Sequence, residues 1–207
     1  MALPSREFNH NVFINCPFDD EYKPIFDAIV FTIQLAGFRP RSALEASNAA
    51  TNRLQKIMNI VAQCKYGIHD ISRTELGING LPRFNMSLEL GLDLGANKYG
   101  DSRLRSKSLL VLDRTPYRYQ RFISDISGQD VQAHNRSVRR VVTLVRDWLS
   151  AESGLGTIPG GNYVSTRYRT FLRNLPALCA RLRRTSDELT FGDFTQLIKV
   201  WLEENEA

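Results

Sequence analysis

The chain has 207 residues, 43% hydrophobic and 24% charged, which fits one globular domain, or one domain with a small appendage, and excludes a disordered or collagen-like chain. Its longest apolar stretch, AIVFTIQLAGF, is too short to span a bilayer, and MALPSREFNHN has no signal core, so a cytoplasmic protein without a membrane partner is expected. The formal charge of +5 lies entirely beyond residue 100, around Arg103, Arg105 and Lys107 and around Arg181, Arg183 and Arg184; no DNA- or RNA-recognition pattern accompanies it, so a solvated face is expected and nucleic acid is an unlikely partner.

Residues 11–16 read as a short β-branched strand, followed by Pro17-Phe18 and the acids Asp19, Asp20 and Glu21, which suit the first turn of a helix. Pro24 falls early enough in that helix to be tolerated, Ile25, Phe26, Ile29, Ile33 and Leu35 line it, and Gly37 ends it. A second strand over 38–44, a helix over 49–63 with Leu54, Ile57, Met58 and Val61 inward, and a third strand over 66–71 follow. RTELGINGLPR, residues 73–83, is a connection long enough to form a flap, and Arg73 and Arg83 at its ends meet either a phosphate or water.

The helix over 84–97 carries Phe84, Ser87, Leu88, Gly91, Leu94 and Gly95 on one side and a stripe of Asn85, Glu89 and Asp93 opposite. Gly91 and Gly95 each lower helix propensity by about 1 kcal/mol relative to alanine, which predicts close packing against the sheet there. Glu89 then faces either water or a cleft.

Residues 107–113 read as a buried parallel strand ending in Asp113, and an irregular segment over 115–130 with Tyr117, Tyr119 and Phe122 leads to a last short strand over 129–134. An amphipathic helix over 138–149 precedes SGLGTIPGG, residues 153–161, a linker by composition. Two further helices, 163–182 and 191–203, complete the chain, the second opened by a Thr190/Asp193 capping box.

Alternating strands and helices imply an α/β fold, with an open parallel sheet of about five strands, helices on both faces in the flavodoxin-like manner, and a C-terminal helical appendage. The expected division is an α/β domain over 1–152 and a helical extension over 162–207, which docks on the domain or builds a homo-oligomer. Ligands of such sheets bind at the carboxyl edge, so Cys16, Pro17, Phe18, Asp70, Ser72 and Asp113 are candidate pocket walls. Phe18 either stacks a base or caps the core, and Asp70 reads on its own as an acid capping the turn after its strand. Neither a GxGxxG nor a P-loop sequence is present. Three cysteines without Cys-x-x-Cys spacing and three scattered histidines indicate neither a disulfide framework nor a metal site.

DIS at 70–72, a loop, and NMSLELG at 85–91 resemble the strand-end acid and Asn-x-x-x-Glu-x-Gly helix of nucleoside 2-deoxyribosyltransferase-like proteins, a group similar in fold to Toll/interleukin-1 receptor (TIR) domains. NVFINCPFDDEYKPIFDAI, residues 11–29, resembles their first strand, loop and helix, and the resemblance covers roughly residues 11–115. It implies Glu89 as the glutamate that cleaves an N-glycosidic bond and Asp70 as the acid that orients ribose hydroxyls or Glu89 itself. Around the substrate it implies the loop Cys16, Pro17 and Phe18, and Ser72, Arg83, Asn85 and Asp113 are candidate contacts beside it by their positions in the chain. It implies no resident cofactor, with NAD or another nucleotide as substrate. Three functions are consistent with it: a TIR-like NAD glycohydrolase or cyclase, with bacterial antiphage defence as its setting; a nucleoside deoxyribosyltransferase or hydrolase; and a non-catalytic nucleotide-sensing or interaction module.

Overall fold

The structure, a computed structural model, describes residues 5–45, 50, 52–73 and 84–205. Strands β1 (Asn11–Asn15), β2 (Arg39–Ser42), β3 (Tyr66–Asp70), β4 (Ser108–Asp113) and β5 (Val131–Ala133) form one open, all-parallel sheet in the order β2-β1-β3-β4-β5. The helices among the described residues are α1 (Ser5–Phe8), α2 (Lys23–Leu35), α3 (Arg53–Ala62), α4 (Asn85–Tyr99), α5 (Val138–Ser153), α6 (Gly161–Arg181) and α7 (Phe191–Glu204). This is the flavodoxin-like arrangement expected from the alternation of strands and helices, with the C-terminal helical part present. No described helix is long and apolar enough to cross a membrane.

Strands β1 and β3 are buried along their whole length, as central strands of a two-sided parallel sheet must be. Their period of two divides the core. Val12, Ile14, Tyr66 and Ile68 join the cluster of α2 and α5, while Phe13 joins Ile57, Ile60 and Val61 of α3. Helix α2 is buried at six consecutive positions, Ala28 to Ile33, because it is covered on every side. The sheet and α5 lie on one side, and α6 and α7 cover the other: the Phe31 ring lies 5.2 Å from Tyr168, 5.4 Å from Phe171 and 6.0 Å from Trp201 between centroids. The expected linker is pinned as well. Ile158 is buried, and Arg146 donates to the carbonyls of Ile158 and Pro159 at 2.5 and 2.6 Å.

Local details differ from the sequence expectations for physical reasons. Asp19, Asp20 and Glu21 sit in the turn before α2, where Asp19 Oδ1 accepts from the Tyr22 amide at 3.0 Å. Asn52 caps α3 by accepting from the Leu54 and Gln55 amides, and the helix phase this sets buries Ile57, Ile60 and Val61 and leaves Leu54 and Met58 exposed. The expected Thr190/Asp193 capping box forms with both of its reciprocal bonds. The close packing expected at Gly91 and Gly95 is absent, since a Cβ built at either would meet nothing within 4 Å. Helix α4 instead buries Met86, Glu89, Leu90 and Asp93, so the second half of its polar stripe faces the sheet.

Candidate functional site

Strand order reverses between β1 and β3, where the connection from β1 leaves toward α2 on one face and that from β3 leads to α4 on the other. This switch point is where the carboxyl ends of parallel strands open a crevice. Cys16 and Asp70 arrive on the α2 side and Glu89 from α4. The Cys16 thiol is pushed well above its usual range, first by burial and then by Asp70 and Glu89, so both carboxylates act on one point at the end of β1. A thiol held protonated in this way is a pocket wall and a poor nucleophile.

Asp70 is fully buried and already engaged. Its Oδ2 accepts from the Tyr22 hydroxyl at 2.6 Å and lies 3.1 Å from His134 Nε2, and its Oδ1 accepts from the Ser72 amide at 2.8 Å. Burial, followed by the Asp70 charge, drives the Tyr22 hydroxyl well above its normal pKa, which keeps it a donor. Asp70 therefore reaches a ligand only through Tyr22, Ser72 or His134, and organises them. His134 and Tyr22 had no sequence signal, because each comes from a different connection and only the fold brings them to Asp70.

Glu89 is 7% exposed and has no hydrogen-bond or ion-pair partner among the described residues. Burial raises its pKa from 4.5 to about 7, with Arg53 pulling weakly the other way. Its helix is clamped on both sides of it. Asn15 Nδ2 donates to the Met86 carbonyl at 2.8 Å, and Asp93, one turn beyond Glu89, is tied into a buried polar chain. In that chain Asn15 Nδ2 lies 3.0 Å from His69 Nδ1, which leaves His69 Nε2 as donor to Asp93 Oδ2 at 3.0 Å, while Asp93 Oδ1 lies 3.2 Å from Lys107 Nζ. Lys107 also donates to the carbonyls of Val61 and Cys64. Gly67 makes room for this, since a Cβ there would stand 2.5 Å from Asp93 Oδ2. A glycine inside an apolar strand was the one sequence signal of that close approach.

The remaining candidates divide. Pro17 is buried and Phe18 half-open, with its ring edge-on to Phe26 at 5.6 Å. Both line a cavity of about 170 Å³ whose far wall is Phe191 and Phe194 of α7. Ser72 is buried beside Asp70, whereas Asn85 opens α4 exposed to solvent. Asp113 is held by Arg118, whose Nε and Nη2 donate to Oδ1 at 2.9 and 2.6 Å; burial raises its pKa and Arg118 opposes the rise. Arg83 and most of the expected flap lie outside the described residues. Among the described residues, no group of three or more His, Cys, Asp and Glu is placed to hold a metal. No protein-family model, curated protein or solved structure matches this chain.

Proposed function

We propose that the protein cleaves the N-glycosidic bond of a nucleotide, with NAD as the favoured substrate and Glu89 as the reacting carboxylate. The observation that carries this reading is a nearly buried, unpartnered glutamate at the sheet's switch point, on a helix fixed by buried polar contacts. An unpaired buried carboxylate costs stability and persists where a positive charge is to be met. Glycosidic cleavage creates one. The C1′–N bond breaks, its electron pair leaves with the base, and the ribose becomes an oxocarbenium ion that an adjacent carboxylate stabilises or captures. Water then adds at C1′ and releases a proton.

Nicotinamide leaves as a neutral molecule and needs no proton, so ionised Glu89 suffices. A purine or pyrimidine leaving from a neutral nucleoside is aided by a donated proton, which a carboxyl of pKa about 7 also holds over part of the neutral range. The test is incubation of the protein with NAD and with a panel of deoxynucleosides, followed by chromatography for released base. Glu89→Gln keeps the side-chain shape and removes the charge, and a rate lower by about a hundredfold to a thousandfold is expected. A folded Glu89→Gln variant that releases base as fast as the parent overturns the assignment.

A further inference from the structure

On the α2 and α5 side of the sheet, the ends of β3 and β5 open on a cavity of about 230 Å³ whose lining does not include Glu89. Ser72, Arg73, Arg114, His134 and Arg136 line it, and the first turns of α2 and α5 close it. The start of α5 and three arginines thus border one space, whereas the Tyr22, Lys23 and Ile25 amides at the start of α2 are already bonded within that turn. The acid among these linings is Glu21. Its Oε2 is 2.5 Å from Arg73 Nη2 and its Oε1 is 3.2 Å from Arg136 Nη1, so one side-chain carboxylate bridges two arginines. Asp19 Oδ1 also accepts from Arg73, at 3.0 Å. Glu21 is largely exposed, and ion pairs of that kind contribute little, so exchanging it for a stronger anion costs little.

His134 adds an independent observation. It is 1% exposed, and its Nδ1 accepts from the Arg136 amide at 3.0 Å, which places the ring proton on Nε2. Nε2 stands 3.1 Å from Asp70 Oδ2 in a contact that falls short of hydrogen-bond geometry, so a buried donor bordering the cavity is incompletely satisfied. The backbone is bent to allow this. Asn135 and Arg136 take φ values of 51° and 55°, two successive left-handed residues that are not glycine, each costing about 1 kcal/mol or more. The other arginine clusters lack such a setting. Arg181 and Arg184 lie on the surface, paired with Glu204 and Asp193, and Arg103 covers the Phe8 ring.

We propose that this cavity binds a phosphate or pyrophosphate group, with Arg73, Arg114 and Arg136 as its cationic wall, Ser72 and His134 as neutral donors, and Glu21 as an internal counter-ion that the ligand displaces. A compact dianion suits it better than a base, because three arginines line it and its two aromatic rings, Tyr22 and His134, stand edge-on to each other at 6.4 Å between centroids. The site does not depend on the chemistry assigned to Glu89.

Calorimetric titration of the full chain with pyrophosphate at low ionic strength tests it. The parent should bind, Arg73→Gln combined with Arg136→Gln should weaken binding at least about tenfold, and Glu21→Gln should tighten it by about tenfold. The gain in Glu21→Gln cannot arise from misfolding. Replacement of Arg181, Arg183 and Arg184 by alanine should leave the isotherm unchanged. Parallel titrations with AMP and adenosine separate the sources of the anion. A preference for AMP that the double variant loses makes the phosphate part of a nucleotide ligand, and pyrophosphate binding without that preference makes it a free effector; both keep the site. Absence of binding in the parent and in Glu21→Gln, or binding undiminished in the double variant, overturns it. No turnover is read, so failure of the Glu89 assignment leaves these outcomes intact.

Discussion

Glu89 carries opposite consequences for stability and for activity. Its folded pKa, about 7, lies above the ordinary 4.5, so between those values the folded chain holds a proton that the unfolded chain releases. The stability linked to that proton is fully present below about pH 4.5 and is lost as pH rises through about 7. Glu89→Gln should therefore melt higher than the parent at pH 8, by about 1–3 kcal/mol after allowing for the edge of the carboxyl that meets solvent, and the gain should vanish near pH 4.5. Thermal melts across that range check the sign. If the ionised form does the chemistry, kcat/KM for NAD should rise with pH through about 7 on the acid limb and be flat above it. At Gly67 the argument is steric. An added Cβ would stand 2.5 Å from Asp93 Oδ2, 2.8 Å from Leu109 Cδ2 and 3.0 Å from His69 Nε2, all on side chains held in a packed, bonded cluster. Gly67→Ala should cost about 1–3 kcal/mol in denaturant unfolding.

Helix α4 shows which parts of an element sequence pattern conveys. Its existence and approximate span follow from the residues 84–97, and the observed helix is Asn85–Tyr99. Its orientation does not follow. A stripe of Asn85, Glu89 and Asp93 reads by default as the wet face, yet Glu89 and Asp93 are buried while Phe84, Leu88 and Tyr99 are exposed. The inversion depends on His69 of β3 and on Lys107 just before β4, which reach Asp93 from two separate segments and satisfy a carboxylate that would otherwise need water. Pairwise contacts of that range leave no periodic trace. The glycines test the orientation directly. With open space at both Cβ positions, Gly91→Ala and Gly95→Ala should each stabilise the protein by up to about 1 kcal/mol. Loss of stability in thermal melts of either variant would return these glycines to a packed interface.

At the scale of the molecule, the strands and their parallel pairing were legible because short apolar runs, such as VFI of β1 and LLVL of β4, alternate with helical segments. The place of the C-terminal helices was equally written, but in α2 rather than in the tail. AIVFTIQL is apolar all round, and a helix of that kind cannot leave one side to solvent. Phe171 and Trp201 cover that side, in one continuous cluster with β1, β3 and α5. The tail is thus docked through the core it completes. A chain ending at residue 160 should then lose its cooperative melt, since it bares Phe31 and its neighbours together, which are buried in the full chain. In the full chain, Phe171→Ala should cost about 3–5 kcal/mol, the range for a large aromatic removed from a closed core. Far-UV spectra and melts of the two variants decide the matter. A truncated chain that unfolds cooperatively near the parent's midpoint, with Phe171→Ala nearly neutral, would make the tail an independent appendage whose contacts with α2 contribute little.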